Sequence, residues 1–378
     1  MNPNIAKLSL VLTTFTVVGL STTSITNAAS LYSITDLGSL GSENTAAYRV
    51  NDLGQVVGAS RLPNQAEHAF FWDKSEGMLD LGTLNGTQSS AFGINNLGQV
   101  VGGTDTYQVF LWSKSEGMTA ISEPTANYSI AYSINDLSQV VGQIGTPEGY
   151  TRAFLYNGGT LTDIGTLDGG FSSTAASINN SGQIVGYSST SNGYRAFRTA
   201  PNTVITPTDN LGTLGGNFSA ASDINDLGQV VGYSTTNLPN VDFRAFLIAP
   251  NSVITPSNDL GTLPGGEYFT IATGINNLGQ VVGQSGSKAF LWENGIMTDL
   301  NSLISDDSNV NLIWANDINN KGQIVAAGFV NGQGRALLLT PTVPTSVPEP
   351  TSTLGILAVG ALGIFIRKSV TVRRREDF

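Results

Sequence analysis

The chain contains no cysteine and one histidine, His68. The first absence excludes disulfide staples, a thiol nucleophile and any thiolate metal centre. The second excludes a histidine cluster for zinc and leaves a Ser-His-Asp triad one imidazole to draw on. Charge is scarce as well. Only 12% of residues are charged, and 17 basic residues stand against 28 acidic ones, a net charge of −11. Between Ser30 and Ser346 the balance is −14. A surface of that sign repels phosphate backbones and anionic lipid, so nucleic acid is not an expected partner. No strictly apolar run reaches the ~20 residues of a membrane-spanning helix.

What the chain has instead is glycine, 44 residues of it, and a repeat. The nine-residue stretch I-N-D-L-G-Q-V-V-G stands whole at 224–232, and at 134–142 with Ser138 for Gly. Related stretches recur seven times, with the first Asn at Asn51, Asn95, Asn135, Asn179, Asn225, Asn276 and Asn319. A spacing of ~40–50 residues marks one supersecondary unit copied along the chain. Asn-Asp-Leu-Gly reads as a tight turn, since Asn bonds its own backbone two residues on and Gly supplies a positive φ. The β-branched pair after it favours a strand, so the motif is a hairpin. An Ala lies three residues before the Ile or Val that precedes each Asn, as with Ala47, Ala131 and Ala221. On a regular strand that offset points the two side chains to opposite faces.

Each copy continues with an apolar run such as Ala69-Phe70-Phe71-Trp72 or Ala289-Phe290-Leu291-Trp292, read as strand three. A turn and a fourth strand follow, with Asp80-Leu81-Gly82-Thr83-Leu84 as its clearest form. Four short strands in ~40–45 residues match one propeller blade. Residues 31–40 read as a fourth strand with no first three, and the seventh copy stops after its third, at 337–339. A ring closed by the N-terminal strand satisfies both open edges, and open edges are a liability. The expected fold is all-β, a seven-bladed β-propeller closed by the N-terminal strand, plus a C-terminal hydrophobic helix. Copies four and five carry matching insertions at 200–207 and 249–256.

The ends read as address labels. Residues 1–29 place Lys7 before an apolar run at 8–20 and end in Thr26-Asn27-Ala28-Ala29, the pattern of a secretory signal peptide. The expected division is signal peptide 1–29, propeller 30–341, a Pro/Thr/Ser linker 342–353, and a hydrophobic segment with basic tail 354–378. Val347-Pro348-Glu349-Pro350, the apolar run 354–366 and the cluster Arg367, Lys368, Arg373, Arg374 and Arg375 together resemble the PEP-CTERM sorting signal. That resemblance implies processing by an exosortase-type membrane enzyme, in the envelope of a cell that makes exopolysaccharide. The basic tail stays cytoplasmic by the positive-inside rule. The segment is therefore expected to be a transient membrane anchor, with the mature protein at the cell surface or in the extracellular matrix. The repeat, with His68-Ala69-Phe70 and its D-L-G-T-L and I-N-D-L-G-Q-V-V-G segments, is similar to the HAF family of extracellular repeats across 31–339. That likeness implies an exported repeat protein and no particular activity.

Catalytic chemistry finds little support. His68 occupies the place of Arg152, Arg195, Arg244, Lys288 and Arg335 in other copies, so it reads as a structural variant. Asp80, Asp163, Asp259 and Asp299 recur one per blade and read as turn caps or partners of those cations. Calcium needs six to eight oxygen ligands, and Asp52, Asp136 and Asp226 alternate with Asn in other copies, a hairpin turn rather than a cage. No catalytic residue, metal site or cofactor is expected. The ligand-binding candidates are Phe171, Phe218 and Tyr268, each beside Gly-Gly in a loop between blades, and Glu267. Glycine frees the backbone, and an exposed ring can stack on a sugar face. The leading expectation is a non-enzymatic binding or structural module, with exopolysaccharide or envelope proteins as partners. The alternative is a secreted glycan hydrolase or lyase on the same fold.

Overall fold

The computed structural model describes residues 31–342 apart from 43, 123–127, 240–242 and 306–308. The signal peptide, the linker, the hydrophobic helix and the motif at Val347, Pro348, Glu349 and Pro350 lie outside the described residues.

Seven antiparallel sheets follow one another along the chain. Blade 1 comprises Thr45–Val50, Val56–Arg61, Glu67–Asp73 and Gly77–Asp80, in sheet order. Blade 7 comprises Val310–Ile318, Ile324–Val330 and Gln333–Pro341, and its outer strand is Tyr32–Asp36 from the far end of the chain. That strand runs antiparallel to Gln333–Pro341, with Tyr32 opposite Pro341 and Asp36 opposite Leu337. The orphan fourth strand thus completes the blade that lacks one. The molecule is an all-β seven-bladed propeller.

The cores lie between blades. Strand two alternates its faces, so successive side chains serve different neighbours. Val56 packs with Val325 and Leu338 of blade 7, whereas Val57 packs with Ala91 and Val100 of blade 2. The repeated Ala-Phe of strand three supplies the bulk. Phe70, Phe110, Phe154, Phe197, Phe246 and Phe290 are each fully buried. The seam between blades 7 and 1 has the same apolar filling as the other interfaces.

Two expectations are corrected. The repeat Ala and the Ile or Val three residues later share one face: Ala47 joins Val50, Ala131 joins Ile134 and Ala272 joins Ile275 in single clusters. The reason is a β-bulge in strand one of every blade. It falls between Ala47 and Arg49 in blade 1, and between Ala131 and Ser133 in blade 3. The extra residue makes an offset of three behave as two, and it re-aims the bulged side chain. The bulge also explains the closing glycine of the motif. A Cβ on Gly142 would overlap the carbonyl oxygen of Ile130, and one on Gly58 would overlap that of Ala46. In blade 7 Ala326 takes this place, and there strand one carries a second irregularity, between Leu312 and Trp314.

The second correction concerns D-L-G-T-L. In blade 1 it is the exit from strand four rather than the strand, which is Gly77–Asp80, and Asp80 Oδ1 then accepts from Gly82 N at 2.8 Å, whereas in blade 3 the strand Thr160–Gly165 includes Asp163-Ile164-Gly165. Blades 4 and 5 have three strands. Their insertions form short turns at Pro207–Asp209 and Pro256–Asn258, leaving single bridges Phe197–Asn210 and Phe246–Asp259 where a fourth strand was expected.

Removing residues 31–40 strips the outer strand from blade 7 and uncovers Leu337 to Leu339, so cooperative melting should be lost or the protein should aggregate. An unchanged melting curve would contradict the closure. Gly142→Ala should lower stability by at least about 3 kcal/mol in chemical denaturation, because the bulged carbonyl has nowhere to move.

Candidate binding site

The channel along the propeller axis is built in layers from strand one. At its narrow end the Asn of each repeat is buried, and in blade 1 it uses its full hydrogen-bonding capacity. Asn51 Oδ1 accepts from Leu53 N and Gln55 N of its own turn. Its Nδ2 donates to Gln55 Oε1 and to the carbonyl of Asn95 in the next blade, at 2.9 Å. Asn95, Asn135, Asn179, Asn225 and Asn276 repeat the second link, and Asn319 Nδ2 returns to Asn51 O at 2.8 Å. Seven side chains close a ring. The following residues close another: Asp52 N donates to Asn96 Oδ1, and so on around to Asn320 N, which donates to Asp52 Oδ1. The second carboxylate oxygens of Asp52, Asp136 and Asp226 accept from neighbouring Asn amides. The alternation that argued against calcium is therefore a donor–acceptor pattern. Among the described residues no group of three or more His, Cys, Asp or Glu is placed to hold a metal ion.

One layer further in, Arg49 of blade 1 reaches across the axis. Its Nη1 lies 3.2 Å from Asp317 Oδ1 of blade 7 and 3.7 Å from Asp223 Oδ2 of blade 5. All three occupy equivalent positions, immediately before the Val or Ile of the motif. Both acids are tied to backbone as well, Asp317 by Val50 N and Asp223 by Ile275 N. Burial pushes the Asp317 carboxyl above the usual carboxylate range, and Asp223 adds to that while Arg49 opposes it. The guanidinium is held above its ordinary value by the two acids, against the effect of burial. Arg49 borders both the narrow cavity, of about 170 Å³, and the one at the opposite mouth, of about 340 Å³.

That mouth is aromatic. The bulged position of strand one carries Tyr48, Phe92 and Tyr132 in blades 1 to 3. In blades 4 and 5 the bulged residues are the small Ala176 and Ser222, and a ring arrives from strand two instead, Tyr187 and Tyr233. All five rings line the mouth and are half-buried. Tyr48 stacks on Phe92 at 5.0 Å between centroids, and Phe92 meets Tyr132 edge-on at 5.8 Å. Burial raises the phenol pKa values of Tyr48, Tyr132 and Tyr233, so these rings stay neutral. In blades 6 and 7 the bulged residues are polar and stitch to the next blade. Thr273 Oγ1 donates to Ala315 O, and Asn316 Nδ2 donates to Ala47 O.

The sequence candidates lie at this end, Phe171, Glu267 and Tyr268 in loops as expected, whereas Phe218 falls within the strand Gly215–Ile224 rather than in a loop. Phe218 belongs to the ring system: it stacks on Tyr233 at 5.8 Å and meets Tyr194 and Phe243. Phe171, 64% exposed, stacks on Tyr150 at 5.5 Å and makes a separate pair. Tyr268 is 63% exposed, and the carboxylate of Glu267 accepts from Gly265 N within its own loop, which lowers its pKa. The four are not drawn into one cluster. The five mouth rings and Arg49 were missed. Aligning the seven copies on the repeat Ala would have exposed Tyr48, Phe92 and Tyr132 in one column.

His68 takes the structural part its position implied. Its Nδ1 lies 2.9 Å from Asp80 Oδ1, as Lys288 lies 3.0 Å from Asp299 and Arg335 lies 3.4 Å from Asp36. Asp163 and Asp259 cap the turns at Gly165 and Gly261.

The described chain leaves the narrow end at Thr342, five residues before Val347-Pro348-Glu349-Pro350. Residues 346–369 match the PEP-CTERM protein-sorting motif. The PEP-CTERM motif is a sorting signal recognised by exosortase-type enzymes, so this chain is an exported propeller processed at its C-terminal side. No protein of curated function matches it. The fold is similar to a puromycin-hydrolysing peptidase of Mycobacterium tuberculosis, with a TM-score of 0.51 and 9% identity over 82% of this chain and 54% of the other. It is also similar to TolB from Acinetobacter baumannii, with a TM-score of 0.46 and 11% identity over 77% and 68% of the two chains. The WD40 propeller domain of Doa1 gives 0.46 and 13% over 80% and 96%. The chain spans about half the length of the peptidase, and at these identities the likeness shows the fold alone.

Arg49→Met should leave Asp223 and Asp317 buried without a cation and lower stability by about 3–5 kcal/mol near neutral pH. The Asp317 carboxyl is already raised by burial, and the variant removes the cation that opposes that rise. The native state then binds a proton there more readily, and the stability deficit should shrink as pH falls through the raised value. Denaturant melts at several pH values check the sign; a deficit that does not change with pH would argue against the triad.

Proposed function

We propose that this chain is an exported, non-enzymatic binding module whose ligand is a carbohydrate held against the aromatic mouth of the channel. The observation that carries the reading is the five-ring lining, assembled from two different strand positions so that blades 1 to 5 each contribute one ring. Half-buried neutral rings are suited to stacking on the apolar faces of sugars. Phe218 extends this surface outward, and Phe171, Tyr268 and Glu267 form a second set of contacts on the rim for a longer chain. The natural ligand is then an exopolysaccharide, with envelope proteins as the other class of partner. The repeat is of the HAF extracellular type. Residues 1–29 act as signal peptide, 342–353 as linker and 354–378 as a transient membrane anchor, with the mature propeller at the cell surface or in the matrix.

The glycan hydrolase or lyase reading needs two carboxylates flanking the sugar about 5–10 Å apart. The two acids nearest the mouth, Asp223 and Asp317, line the narrow cavity beyond Arg49 and are committed to that arginine and to backbone N–H groups. That commitment favours binding over hydrolysis.

A glycan array probed with residues 30–346, run beside a polysaccharide-degradation assay, should give binding without turnover. Replacing Tyr48 and Tyr132 by Ala should weaken retained glycans by roughly tenfold or more, each ring contributing about 0.5–1.5 kcal/mol, with the melting curve little changed. Undiminished binding in the double variant would refute the mouth as the site, and product release would favour the enzyme. Intact-mass analysis of protein from its native host tests the anchor: a chain ending at Phe378 in the medium would contradict it.

A further inference from the structure

The end of the propeller opposite the aromatic mouth presents a different surface. The third residue of the Asn-Asp-Leu-Gly turn is Leu53, Leu97, Leu137, Leu227 or Leu278 in five blades, and these side chains are 59–69% exposed. The turn does not need leucine. Ser181 and Lys321 stand at the same place in blades 4 and 7, and their backbone N–H groups make the same bond to the repeat Asn, at 3.1 and 3.0 Å. Nor does packing need it, because side chains this exposed bury little apolar area. Five leucines around one end of a ring form an apolar surface whose explanation lies outside the fold.

Where the chain leaves the propeller indicates what covers that surface. Thr342 N donates to Leu31 O, and Gln323 Nε2, in the turn of blade 7, donates to Thr340 Oγ1. The exit therefore lies at the leucine end. Leu31 and Ile296, 53% and 67% exposed, continue the apolar surface to the exit and line a groove with Leu278, Pro341 and Thr342. Residues 343–353 then lead to the apolar run at 354–366, and they span at most about 40 Å when fully extended. The charge on this face selects among lipids: Asp52, Asp136 and Asp226 lie inside the leucine ring, with Lys321 as the lone departure to a cation among the seven turn positions. Zwitterionic headgroups tolerate such a face and anionic ones do not.

We propose that the leucine end of the propeller docks on a zwitterionic lipid surface while the chain is membrane-anchored. This leaves the aromatic mouth facing away from the bilayer. The inference rests on the proposed anchor and is independent of the proposed ligand.

The absence of cysteine makes the test direct. Full-length chains carrying Leu97→Cys or Tyr268→Cys are labelled with bimane and reconstituted in phosphatidylcholine vesicles that contain a headgroup spin label. Quenching is expected at position 97 and not at position 268, and it should fall when Leu53, Leu137, Leu227 and Leu278 are all replaced by Ser. A chain that is bound to vesicles but unquenched at position 97 overturns the docking and leaves the anchor standing. A chain that stays off the vesicles overturns both. Disulfide crosslinking between copies of the Leu97→Cys variant, in place of quenching, would show that the face is covered by a second copy and would also overturn the docking.

Discussion

Seven buried asparagine amides, each donating to the backbone carbonyl of the next blade's asparagine, hold the inner strands of this molecule at a fixed spacing. Each of these side chains also caps its own hairpin turn, so one residue type fixes the turn and joins the blades. A buried amide stripped of one partner loses about 1–3 kcal/mol, so the ring tolerates no gap. The rest of the design follows from it. Strand one is pinned at the narrow end, and its bulge, three residues before the Asn, sets which side chains face the axis at the other. Three of the five rings at the aromatic mouth, Tyr48, Phe92 and Tyr132, are products of that bulge.

Charge at the axis is arranged with the same economy. Three equivalent positions supply one arginine and two aspartates, while the blade 2 and blade 6 equivalents are Gly93 and Gly274 and those of blades 3 and 4 are Ser133 and Ser177. The small residues leave room for the one long side chain to cross. Ser177 Oγ donates to Asp223 Oδ1 at 2.6 Å, which helps satisfy the acid lying farther from the guanidinium. The result is that Arg49 stands between the two cavities and borders both.

Much of this was legible in the sequence. The period gave the blade, the unmatched stretch at 31–40 gave the closing strand, and Asn with Gly gave the turn. All three are local signals whose chemistry does not depend on the neighbouring blade. What could not be read depends on a neighbour or on a local break in period. The bulge shifts the facing of every residue before it, so Ala47 and Val50 looked opposed when they share a core. Asp80 reads as a turn cap or cation partner and is both, but Leu81 to Leu84 looked like strand because the strand ends at Asp80. The mouth was missed because its rings alternate between two strands, Tyr132 on one and Tyr187 on the next, a substitution that no single repeat displays. The candidates Phe171, Tyr268 and Glu267 were picked for exposure and glycine context, which find loops but not the surface the loops surround.

The amide ring also acts as a gauge. Each link spans one blade with a side chain of fixed length, and the seventh must land on the first. A copy gained or lost would change the circumference that these identical links have to close. The matching insertions of blades 4 and 5 lengthen the chain between strands three and four, where Asn202 bonds Gly182 and Gln139 of the turns, and the links themselves persist. Sequence can therefore accumulate between those strands, while the number of blades is set at the centre of the molecule by the reach of asparagine.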